Sequence, residues 1–145
     1  MNQIAPLSMR DKIYVIEAEM KKLPQLEIPV RHYFIPGVYA RQVFIPAGAL
    51  VTGVTYKCAQ INILSQGKIR VSVDDEVIGL EASHTVISPP GVKRVAMAVT
   101  DVVWTTILHT HETDVETIEK QFFAYTEEEY QDFLKFKQEQ ESWLE

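Results

Sequence analysis

The side chains that could do chemistry sit in a few short stretches. Between Pro46 and Gly67, Val54, Tyr56, Cys58, Gln60 and Asn62 occupy alternate positions, so on continuous strands they line one face. A polar inner face between glycine corners is how a small antiparallel barrel presents a pocket. His109 and His111 also share a parity, with Glu112 and Asp114 close behind, and the group has the look of a metal cluster. A metal needs three or four converging ligands, however, and spacing places only two here. This stretch also leaves a strand for a helix, where exposed His, Glu and Asp are routine. Cys58 beside Lys57 has the makings of an activated thiol. No spacing brings a histidine to it, and a buried, inert cysteine is the favoured reading. His84 with Asp75 or Glu76 could form a His–carboxylate dyad, which linear spacing does not favour over plain surface residues.

The elements that must hold these groups follow from the hydrophobic period. Ser8 with Asp11 is a variant capping box, opening a short helix over Ile13, Val15, Ile16 and Met20 that Pro24 ends. Its β-branched residues are poor helix formers. Pro24, Pro29 and Pro36 mark an extended connector, an arm or edge along the body. From Tyr39 the period becomes two: Tyr39, Arg41, Val43 and Ile45 alternate with Ala40, Gln42 and Phe44. Further strands are expected over 50–57, 60–64, 68–73, 76–81, 85–88, 93–99 and 102–108, with Asp74-Asp75 as a tight hairpin turn. About eight short strands at this spacing predict a sandwich or barrel. The tail turns helical, over 114–123 with Thr113 as cap, then from Thr126, whose capping partner is Glu129. In the second helix Tyr130, Phe133, Leu134 and Phe136 form an apolar stripe, and Trp143 and Leu144 look like a docking tip.

Composition bounds the function. The chain has 145 residues, 46% of them hydrophobic and 23% charged, which suits one soluble domain with a real core. A formal charge of −6 argues against general nucleic-acid binding, which needs a basic face. No apolar run approaches the roughly 20 residues of a membrane-spanning helix. One cysteine cannot staple the fold, and Asn2, Gln3, Pro6 and Arg10 lack the apolar core of a signal peptide. These features point to a cytoplasmic protein.

Two spaced motifs resemble those of the cupin superfamily of jelly-roll proteins. The first is Gly, five residues, His-x-His, three or four residues, Glu, six residues, Gly. Gly48 and Gly67 keep that frame, with Val54, Tyr56 and Gln60 where the histidines and glutamate would stand. The second is Gly, five residues, Pro-x-Gly, two residues, His, three residues, Asn. Pro89 and Gly91 match it, while Ser83, Arg94 and Ala98 replace the glycine, histidine and asparagine. The resemblance covers about residues 39–108, and the run Ile87-Ser-Pro-Pro-Gly-Val-Lys-Arg94 is similar to that of short bacteriophage cupin-like proteins. It implies a mainly β, cupin-type antiparallel jelly-roll barrel with a short N-terminal helix and arm and C-terminal helices. The segments would be 1–38, 39–110 and 111–145 within one compact domain.

The resemblance implies a metal centre, and the replacements remove its ligands. Valine cannot ligate, and arginine is always cationic and repels a divalent ion. No metal or other cofactor is therefore expected. What remains is a wall of Tyr56, Gln60 and Arg94, joined by Asn62 and Trp104, suited to a planar or anionic small molecule. The alternative is a repurposed interior in which Arg94 and Tyr56 satisfy each other. Tyr56 and Gln60 are the expected neighbours of Arg94, with an anionic ligand or a carboxylate such as Glu81 completing its shell.

Three functions stay open. One is a non-catalytic, metal-free cupin-like protein of phage type that binds a small anionic ligand or a protein partner. Another is a metal-independent enzyme on a sugar or nucleotide, of the epimerase or isomerase kind, using the His84 dyad that metal-free sugar epimerases of this fold employ. The third is an assembly protein whose barrel is a dimerisation core. Loss of all four ligands favours the first and third. A homodimer is expected, with the arm of residues 23–34 or the stripe from Tyr130 to Phe136 crossing its interface.

Overall fold

The computed structural model describes residues 7–144, so Asn2, Gln3 and Pro6, weighed above against a signal peptide, lie outside the described residues. Helix α1 (Met9–Met20) begins where the Ser8 hydroxyl accepts the Asp11 amide at 3.1 Å. Only Ile13 on it is fully buried, so the helix is held to the body largely by polar contacts. Among the described residues no helix is long and apolar enough to cross a membrane.

The second half of the proline-marked arm is a strand, β1 (Val30–Ile35), at the edge of a five-stranded antiparallel sheet. It pairs with β2 (Val38–Ile45), followed across the sheet by β10 (Val102–His109), β5 (Gln60–Gln66) and β8 (His84–Ser88). Opposite lies a four-stranded sheet ordered β3 (Leu50–Thr52), β9 (Val95–Ala98), β6 (Lys68–Val73) and β7 (Glu76–Glu81). Ile45, Leu64, Ile69, Ala98 and Val102 fill the space between them as the main core. Burying each of the Ile, Leu and Val side chains contributes about 1.5–3 kcal/mol.

The strand expected over 50–57 is two strands. Gly53 turns away from the ladder, its amide donating to the Arg94 carbonyl at 2.9 Å and its own carbonyl accepting the Lys93 ammonium at 2.8 Å. The chain resumes as β4 (Thr55–Tyr56), which pairs with β11 (Phe123–Ala124) from the tail. A bend at Lys57–Cys58 then carries Cys58 off the face that its neighbours of the same parity keep. Val54, Tyr56, Gln60 and Asn62 face the interior, whereas Cys58 packs against a second cluster of Tyr39, Leu108 and Ile118.

The corners are as the glycines require. Gly67 has φ +91°, and a Cβ there would overlap the Asp101 carbonyl. Gly91 has φ +88° and lies against the Tyr130 ring, where a Cβ finds no room. The β6–β7 hairpin turns at Asp74-Asp75, with Asp74 at φ 54°, a conformation Asp tolerates better than most residues.

In the tail, helix α2 (Val115–Phe122) is capped by Asp114 rather than Thr113. The Glu112 carboxylate accepts both the Thr113 and Asp114 amides, and the exposed Asp114 carboxylate accepts the Thr117 amide at 3.0 Å. Helix α3 (Glu127–Ser142) is capped by Thr126, while Glu129 reaches back to the Tyr125 amide, one residue before the cap. Tyr130 is buried and Phe133 and Leu134 half-buried, but Phe136 is exposed and leaves the stripe. Trp143 and Leu144 are almost fully exposed.

Candidate functional site

A cavity of about 490 Å³ lies between the sheets, and all five residues singled out above line it: Tyr56, Gln60, Asn62, Arg94 and Trp104. Each arrives from a different element or position. Tyr56 ends β4, Gln60 and Asn62 alternate on β5, Trp104 comes from β10, and Arg94 sits just before β9. Antiparallel register sets Asn62 opposite Thr106 on one side and Val86 on the other.

Asn62 makes three hydrogen bonds. Its carbonyl oxygen accepts from Thr106 Oγ1 at 2.7 Å and Trp104 Nε1 at 3.2 Å, and its amide donates to Ser88 Oγ at 2.9 Å. The same Ser88 oxygen accepts from Arg94 Nη2 at 2.8 Å, and Arg94 Nη1 donates to the Ser72 carbonyl at 3.2 Å. Tyr56 and Gln60 are therefore not the hydrogen-bond partners of Arg94. From its place just before β9 the guanidinium reaches Ser72 of β6 and Ser88 of β8. Glu81 does not complete its shell either, because that carboxylate faces Lys68 at 3.9 Å on the β6–β7 pair. Among the described residues no carboxylate forms an ion pair with Arg94. Burial pulls its guanidinium down from the ordinary value, opposed only by the charge of Asp74. It still stays protonated, as arginine does in proteins.

Two other groups are held unusually. Burial pushes the Tyr56 hydroxyl up to about 12, so it stays a neutral phenol, edge-on to Phe123 at 4.9 Å between ring centres. Gln60 is 5% exposed, its amide nitrogen makes one long contact with the Cys58 carbonyl at 3.4 Å, and Oε1 finds no partner. A buried amide oxygen without a donor is costly.

The sequence did not single out Arg41, Glu119, Phe123 or Tyr125, which also line the cavity. Arg41 Nη1 stands 3.5 Å from Glu119 Oε1, and its guanidinium lies over the Phe123 ring at 5.5 Å. A signal was present: Arg41 interrupts the otherwise apolar set of Tyr39, Val43 and Ile45. Its partners could not be found, since α2 and β11 come from the distant tail.

The other candidates separate. His109 and His111 lie edge-to-face at 5.5 Å near Gly37, outside the cavity. Glu112 and Asp114 are occupied in the turn and cap of α2, and among the described residues no three His, Cys, Asp or Glu side chains are grouped to hold a metal. His84 is exposed on one sheet, while Asp75 and Glu76 are exposed on the hairpin of the other. Burial pushes the Cys58 thiol up, which disfavours the reactive thiolate. Cys58 is accordingly expected to react with a disulfide reagent about tenfold or more slowly in the native protein than in urea. Equal rates would place it at the surface.

At the motif's ligand positions the structure puts Val54, Tyr56, Gln60 and Arg94 on the cavity wall. An alkyl group, a neutral phenol, an amide and a cation do not make a divalent metal site.

No family model matches the sequence, and no curated protein matches it. Solved structures do match. A cupin superfamily protein from Desulfitobacterium hafniense aligns with TM-score 0.50 at 14% identity, over 75% of this chain and 94% of that one. KdgF from Halomonas sp. aligns with TM-score 0.52 at 20% identity, over 63% of this chain and 86% of that one. The cupin domain of an XRE family transcriptional regulator from Enterobacter cloacae aligns with TM-score 0.50 at 13% identity, over 60% of this chain and all 100% of that domain. These likenesses show the fold. It is a cupin-type antiparallel jelly roll, with a short N-terminal helix and C-terminal helices added.

Proposed function

We propose that this protein is a non-catalytic, metal-free cupin-fold binder of a small anionic molecule held inside the barrel. One observation carries the reading: Arg94 projects onto the cavity wall with only neutral oxygens as hydrogen-bond partners. A half-buried cation so placed is costly until an anion reaches it. Support for catalysis is weaker. Among the described residues Glu119 is the only carboxylate on the wall, no histidine joins it, and Arg41 is its neighbour. A sugar- or nucleotide-modifying reaction would lack a free general base.

The same reading includes a homodimer. Tyr33, Ala40, Ile107, Ile61 and Ile87 run in register across all five strands of the larger sheet, on its outward face. Tyr33, Ile61 and Ile87 are exposed, and Tyr33 belongs to the arm expected to cross the interface. Phage origin rests on the resemblance of the segment from Ile87 to Arg94, and a cytoplasmic location on the single unpaired cysteine.

Native mass spectrometry of tag-free protein tests both parts. The expected result is a dimer carrying a small acid that Arg94→Met loses. Stoichiometric iron, zinc, nickel or manganese surviving His109→Ala with His111→Ala would overturn the metal-free reading, and a monomer would overturn the assembly.

A further inference from the structure

Resting on the proposed binding role, we infer that the ligand is a small monocarboxylic acid with an apolar body and one hydrogen-bond donor, rather than a phosphate ester or a sugar. The charges on the wall decide the head group. Arg94 and Arg41 bring two positive charges and Glu119 one negative, and Arg41 already stands beside Glu119 and over Phe123. One uncompensated charge is left, on Arg94. A carboxylate matches it one to one and can take two parallel N–H bonds from the guanidinium. A phosphate monoester carries about −1.5 to −2 at neutral pH and would leave negative charge unbalanced in the cavity.

The rest of the wall decides the body. Val43, Ile45, Ile69, Val71 and Ala96 line it from both sheets, with the face of Trp104 among them. Trp104 Nε1 is taken by Asn62, so that side chain offers the ligand mainly its ring. A hydroxyl-covered sugar would find few partners along these residues, and unpartnered hydroxyls oppose burial. The wall also carries polar groups such as Tyr56, Thr106 and Tyr125, but among the described residues Gln60 alone has a buried side-chain atom left unpaired. Its buried Oε1 accepts from nothing, and a single hydroxyl or N–H on the ligand would satisfy it. A volume of about 490 Å³ suits a molecule of modest size.

Matched probe sets test the class. Each of three bodies (phenyl, cyclohexyl and isopropyl) is prepared as a 2-hydroxy acid, the acid lacking the hydroxyl, the neutral 2-hydroxy amide and an alkyl phosphate. Glucose 6-phosphate is added. Trp143 is exposed, so Trp143→Phe leaves Trp104 as the fluorescent reporter inside the cavity. For at least one body the 2-hydroxy acid should bind roughly 10- to 100-fold more tightly than its amide, and also more tightly than its phosphate. Arg94→Gln should erase the preference over the amide. Gln60→Leu should erase the preference for the hydroxylated acid while keeping Arg94 dependence. If a phosphate or glucose 6-phosphate binds more tightly, and does so through Arg94, the ligand class is wrong but the anion-binding role stands. If nothing binds through Arg94, both fall.

Discussion

Arg94→Met should leave the unliganded protein within about 1 kcal/mol of its parent stability while removing its affinity for acids. Two effects nearly cancel in the free protein. The variant loses hydrogen bonds to the Ser72 carbonyl and Ser88 Oγ. It also relieves a guanidinium that burial already disfavours, and it strands no carboxylate, since none pairs with Arg94 among the described residues. Ser88 Oγ keeps its bond from Asn62. Binding behaves differently, because the ligand's own charge would be left buried and alone. That loss is about 2–5 kcal/mol, or roughly thirtyfold to several-thousandfold in Kd. Urea denaturation gives the first quantity and calorimetric titration the second. A stability loss of about 3–5 kcal/mol would mean that a native carboxylate pairs with Arg94 after all.

What was legible in the sequence was the frame. Gly67 and Gly91 mark corners where the positive φ and the close neighbours favour glycine, and they stand at their motif positions although the ligand positions hold other residues. The Asp74-Asp75 hairpin and the paired strands β6 and β7 were readable for a related reason, since two short alternating runs flank one tight turn. Pairings between distant segments were not readable. Strand β11 has two residues and exists because β4 offers it an edge, and local pattern carries no trace of that. Cys58 was misplaced on the cavity face because the parity argument assumes an unbroken strand, and the turn at Gly53 and the bend at Lys57–Cys58 break it. For the site, the five wall residues could be picked out by motif position, but not their bonds. Ser72 and Ser88, the actual partners of Arg94, look like ordinary strand serines in the sequence.

The same limit hid the contact whose loss should harm folding most. Lys93 is 7% exposed, and its ammonium lies 2.6 Å from Glu17 on α1, 2.8 Å from the Gly53 carbonyl and 4.9 Å from the centre of the Tyr14 ring. Thr52 Oγ1 donates to the same Glu17 oxygen at 2.6 Å. Burial alone would push the Glu17 carboxyl up. Hydrogen bonds from Lys93 and Thr52, with the ammonium's charge, outweigh it and hold the carboxyl below its ordinary value. The pair ties the N-terminal helix to the corner that places Arg94, the next residue. Lys93→Met leaves Glu17 only the exposed Lys21, at 3.9 Å, and should cost about 3 kcal/mol, the low end for a buried pair because Glu17 keeps that contact and some solvent. That corresponds to a fall in Tm of roughly 6–12 °C for a chain of this size. Adding Glu17→Leu removes the stranded charge and should recover most of the loss. The pH dependence has a definite sign. A carboxyl held low in the folded state stabilises fully above its unfolded value of about 4.3, and that contribution fades as the pH falls through the lower folded value. The parent should therefore lose stability in acid more steeply than the double variant, as followed by urea denaturation between about pH 7 and pH 3. Identical acid limbs in the two proteins would show that α1 is held by Ile13 and its apolar contacts rather than by the Glu17–Lys93 pair.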